Sequence, residues 1–109
     1  MNLTFKDYQQ FAARTINRKL TAEETQLHAL HEMAGEVGEI HSLFQKVYQG
    51  HELDDEELQY EVGDLLWGIA ELCTARGWQM GAVAWMNIEK LKKRYPEGFS
   101  VERSLHREV

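Results

Sequence analysis

The chain has 109 residues, of which 43% are hydrophobic and 28% charged, with a single proline. That length suits one domain with a small core, and so little proline argues against a loop-rich all-β fold and against disorder. The formal charge of −6 disfavours a nucleic acid polymer as partner, but leaves room for a small phosphorylated ligand if a divalent cation stands between the two sets of negative charge.

The pattern is helical almost throughout. The first residues carry no apolar stretch behind a basic start, so no signal peptide is expected. Thr4 with Asp7 opens a first helix, in which Phe5, Tyr8, Phe11, Ala12 and Ile16 recur at spacings of three and four; it is predicted to end near Asn17. After a connector over 17–20, Thr21 and Glu24 form a capping box for a second helix. Its stripe runs through Leu27, Leu30, Ala34, Val37, Leu43 or Phe44, and Val47, and stops at Gly50. Residues 49–54 read as a polar turn, with Asp54 and Glu57 as the next N-terminal box. Leu58, Val62, Leu65, Leu66, Ile69 and Leu72 mark a third helix, closed by Gly77 in the position a left-handed cap favours. The one cysteine, Cys73, lies on this helix and has no intramolecular partner, which fits a reducing cytoplasm. A fourth helix spans about 80–94 and is terminated by Pro96 and Gly98. The expected organisation is one domain over 1–109, ordered from about 4 to 96, with a polar tail from about 97 to 109. No apolar run approaches the roughly 20 residues that span a bilayer. Four helices with short connections imply an all-α antiparallel four-helix bundle, or half of one.

Acidic residues interrupt the second and third helices in a repeated form. Glu36-Val37-Gly38-Glu39 places two carboxylates three apart on one face, and Glu61-Val62-Gly63-Asp64 repeats the arrangement. Each pair lies roughly 14 Å from the intervening turn at 1.5 Å per residue, so a hairpin brings all four to one level. Like charges about 4 Å apart repel by roughly 4 kcal/mol at an effective dielectric constant of about 20. Two readings follow: solvated acidic faces pointing independently outward, or a hard cation, Mg²⁺ or Mn²⁺, held between the helices. The apolar neighbours Ala34, Val37, Val62, Leu65 and Leu66 place the acids at the edge of the apolar stripe, which favours the cation. Gly35, Gly38 and Gly63 inside these helices suggest close approach by another helix or a ligand. No Glu-x-x-His motif supports a di-iron site. His28 and His31 lack a further pair for zinc and read as partly exposed helix residues, and His41, His51 and His106 are isolated.

With these motifs in order, the chain resembles the MazG-like nucleotide pyrophosphohydrolases of the all-α NTP pyrophosphatase superfamily. Their signature is Glu-x-x-Glu on one helix and Glu-x-x-Asp on the next. The downstream run Asn87-x-x-Lys90-Leu91-x-x-Arg94-Tyr95-Pro96-x-Gly98-Phe99 is similar to the ending of small members. The resemblance spans about 5–104. It implies Mg²⁺-dependent (Mn²⁺ as the substitute) cleavage of a nucleoside triphosphate, a dNTP above all, between the α and β phosphates. Glu36, Glu39, Glu61 and Asp64 would then be the metal ligands and catalytic residues, in a cytoplasmic homodimer or homotetramer whose site is built partly from neighbouring chains. Many relatives carry a further acid just before the first motif; here Met33 stands there and Glu32 precedes it, four residues from Glu36. Lys46, Asn87, Lys90 and Arg94 are the candidate phosphate contacts. Among Tyr8, Phe11, Trp67, Trp78 and Trp85, all more simply read as core, Trp67 is the best placed to stack on a base. The competing functional reading is a non-catalytic helical module that binds nucleotides or proteins.

Overall fold

The computed structural model describes residues 2–106. It consists of α1 (Phe5–Ala13), α2 (Ala22–Val47), α3 (Asp55–Arg76), α4 (Met80–Arg94) and a short α5 (Val101–Leu105), with no β-strand among the described residues. None of these helices is long and apolar enough to cross a membrane.

Local chemistry sets the ends. Thr4 accepts from the Asp7 amide at 3.0 Å, and Thr21 from the Glu24 amide at 3.1 Å. In each box the acid reaches back to the cap residue's own N–H. Asp54 accepts from the amides of Glu56 and Glu57 without a reciprocal partner. Gly77, at φ 72°, closes α3 in the left-handed conformation. α1 stops at Ala13 instead of near Asn17, because the amides of Arg14, Thr15 and Ile16 each turn back three residues and tighten the last turn. The same three-residue closure over 48–50 ends α2 at Val47. The region expected to be a polar tail instead forms α5, capped by Ser100 on the Arg103 amide; residues 107–109 lie outside the described residues.

α2 and α3 form an antiparallel hairpin, the main packing unit. Small residues let the helices close: Ala29 is fully buried, and a Cβ on Gly68 would lie 2.6 Å from Met33 Cγ. α1 crosses α3, where Ala12, Ala70, Cys73 and Met80 form the buried core, with Tyr8, Leu66 and Trp67 packed against it. α4 joins mainly through α1. One side chain fixes that junction: Gln9 donates to the Trp78 carbonyl at 2.8 Å and to Thr74 Oγ1 at 3.2 Å, while its Oε1 accepts from the Met80 amide at 2.8 Å. α4 thus begins on a cap supplied by α1, because Gln79 makes no side-chain cap of its own. The four long helices are therefore a hairpin with α1 and α4 at one end.

Candidate metal centre in the helical hairpin

The two acidic motifs meet where α2 and α3 face each other. Carboxylate oxygens of Glu36, Glu61 and Asp64 all lie within 4.8 Å of one another. Glu39 was expected to complete the set, but it is exposed and does not join this group. A spacing of three residues turns a helix by about 300°, so the two acids of a pair are neighbours without pointing at one spot. On α3 both members face α2; on α2 only the first faces α3.

The electrostatics of the trio are unbalanced. Glu36 Oε2 is buried and no donor reaches it. Opposite stands another carboxylate. A proton shared with Glu61, then burial, then the charges of Glu61, Asp64 and Glu32, push the Glu36 carboxyl from an ordinary 4.5 up to about 7. Burial and the Asp64 carboxylate likewise raise the Tyr8 phenol, which places α1 beside the same centre. Three converging hard oxygen donors, one of them buried without a partner, fit a hard divalent cation.

The other expected contacts stand apart from this group. Lys46 is exposed in the last turn of α2, Asn87 and Lys90 are exposed on α4, and Arg94 is half-buried near its end. Among the described residues none of them pairs with the three carboxylates. Trp67 is half-buried, braced by an Nε1–H donated to Thr15 Oγ1 at 2.8 Å and packed on the core. Trp78 lies under the Arg76 guanidinium and Trp85 under the Lys92 ammonium. The glycines of the motifs have no near neighbour in the chain: a Cβ at Gly35, Gly38 or Gly63 would meet nothing within 4 Å. Close approach falls instead on Gly68, which sequence reading did not single out.

One polar pair was missed. Glu71 on α3 is buried, and both its oxygens accept from His28 Nδ1, at 2.9 and 2.8 Å. His28 had been read as a partly exposed residue without a role. The available signal was register: Glu71 falls seven residues after Asp64 and ten after Glu61, hence on the same inward face.

Compared with known families, residues 22–99 match the MazG nucleotide pyrophosphohydrolase domain. No curated protein and no solved structure matches the chain significantly.

Proposed function

Because the chain belongs to the MazG nucleotide pyrophosphohydrolase family, we propose that it hydrolyses nucleoside triphosphates, dNTPs foremost, between the α and β phosphates, with Mg²⁺ or Mn²⁺ as cofactor. The observation that carries this reading is the trio Glu36, Glu61 and Asp64, with the unpartnered buried oxygen of Glu36 turned into it. These three would hold the cation, and Glu39, one turn beyond Glu36, would supply a fourth carboxylate. When bound, such a cation would offset the charge of the phosphates and of the departing pyrophosphate and would make water a better nucleophile.

The remaining work belongs to the chain. Attack by water on the α phosphorus forms one P–O bond and breaks the bond to the oxygen shared with the β phosphorus, giving a nucleoside monophosphate and pyrophosphate. A carboxylate of the group not engaged with the cation accepts the proton of that water. Lys46 and the stripe Asn87, Lys90 and Arg94 supply the positive and polar contacts that hold the phosphates. α4 packs mainly on α1 and its stripe stands apart from the trio, which supports a working unit, a homodimer or larger, in which a neighbouring copy supplies the stripe.

Pyrophosphate release from a panel of dNTPs with Mg²⁺ tests the reading. Asp64→Asn and Glu61→Gln should each lower turnover by roughly 100-fold, the upper end of what losing one supporting group in a metal site costs. Wild-type turnover in both variants, or nucleotide binding without any product from the unaltered protein, overturns it.

A further inference from the structure

The hairpin holds a second polar centre, away from the carboxylate trio. His28 lies eight residues before Glu36 on α2, about 12 Å along the axis, and Glu71 lies seven after Asp64 on α3, about 10 Å. Because the helices are antiparallel, both displacements run toward the same end, and the two residues meet there. The Glu71 side chain is 0% exposed and that of His28 is 42% exposed. A buried carboxylate thus holds one nitrogen of an imidazole that is itself partly exposed. Glu71 takes the Nδ1 hydrogen, so Nε2 is the atom presented. The Glu32 carboxylate stands 3.5 Å from Nε2, at the limit of hydrogen-bond range, so a ligand atom would have to compete with it there. The Trp67 indole meets the imidazole edge to face, with centroids 6.2 Å apart and planes at 88°. With its Nε1 tied to Thr15, this ring is a fixed apolar wall.

A helix clamp alone explains this poorly. Burying a polar pair offsets little more than its own desolvation, and an apolar pair would join α2 to α3 at least as well. The arrangement also selects its ligand. Glu71 and Glu32 make this end of the hairpin acidic, so it disfavours a polyphosphate and suits an uncharged group that is partly aromatic and carries hydrogen-bonding atoms. A nucleotide whose phosphates sit at the trio has such a group one nucleoside length away.

We infer that His28, oriented by the buried Glu71, is the residue that binds the nucleoside half of the substrate, with Trp67 as the adjoining wall. This rests on the proposed nucleotide site, yet it is tested by binding and needs no hydrolysis. His28→Asn keeps an amide N–H where Nδ1 stands, so Glu71 stays satisfied while Nε2 is removed. Calorimetry with the four deoxynucleoside monophosphates and Mg²⁺ should show about tenfold weaker binding for the preferred base in this variant, the effect of one lost hydrogen bond. Binding of inorganic pyrophosphate and the thermal midpoint should stay unchanged. In the unaltered protein, the His28 imidazole resonances should move on adding the monophosphate and stay still with pyrophosphate, a readout that does not depend on how the variant folds. Equal monophosphate affinity in wild type and variant, or resonances indifferent to the nucleotide, overturns the inference. If dNTPs are hydrolysed normally while these results are negative, only the role of His28 fails. If His28 responds to the nucleotide but no pyrophosphate appears, only the hydrolase reading fails.

Discussion

The carboxylates around Glu36 raise its carboxyl well above the usual range, and this gives the fold a pH dependence of definite sign. Unfolded, the carboxyl titrates near 4.5; folded, near 7. Between those values the folded chain binds more protons than the unfolded chain, so the stabilising contribution is present below the lower value and lost as pH rises through the upper one. In chelator the thermal midpoint should therefore fall as the buffer is moved from about pH 5 to about pH 8. Glu36→Gln should flatten that fall. Mg²⁺ added at the high end should restore the midpoint, since a cation replaces the shared proton and the released proton makes binding tighter above 7. A midpoint that rises over the same range in chelator would contradict the placement of Glu36 against Glu61. Cys73, by contrast, is buried and its thiol is raised by that burial, so it is a packing residue and no nucleophile.

At the scale of helices, the motif glycines are the feature to probe. A glycine inside a helix costs about 1 kcal/mol relative to alanine, and nothing in the chain lies close enough to Gly38 or Gly63 to require one. Gly38→Ala and Gly63→Ala should therefore raise the thermal midpoint while lowering pyrophosphate release, because the added methyls occupy room that a substrate or second copy needs. Unchanged turnover in both would mean that nothing approaches these faces. The starts of α1, α2 and α3 and the stop of α3 were legible because each is decided within about four residues: Thr4 with Asp7, Thr21 with Glu24, Asp54, and Gly77 all act where expected. What was not legible depends on how two helices rotate about their axes. Spacing put Glu36 and Glu39 on neighbouring positions, but the rotation of α2 against α3 turned only Glu36 inward. That same rotation brought His28 onto Glu71 and Met33 against Gly68. These pairings join residues far apart in sequence, and no local pattern encodes them.

The whole molecule is more open than its length warrants. Its radius of gyration is 17.0 Å, against about 13 Å for a compact chain of this size. It exposes 8742 Å², where a compact monomer of 12.7 kDa exposes about 6,200 Å². Large apolar side chains are among those it exposes: Phe44 and Tyr60 toward the turn of the hairpin, and Trp85, Met86 and Ile88 along α4. Surfaces of this kind are characteristic of a chain that packs against another. Light scattering at micromolar concentration should give a mass of at least two chains; a monomer there would count against the assembly proposed for the site. The all-α class and the hairpin were readable in the periodicity. The open arrangement was not, since an amphipathic stripe has the same pattern whether its own chain or another covers it.

Gln9 belongs to neither of the helices whose meeting it governs. A single amide on α1 satisfies the end of α3 and starts α4, so the direction in which α4 leaves the hairpin is decided by a residue some seventy positions upstream of the corner itself. Replacing Gln9 alone would leave the rest of α1 packed on α3 and yet free α4 from this corner. Such a change would alter where α4 points without touching Glu36, Glu61 or Asp64.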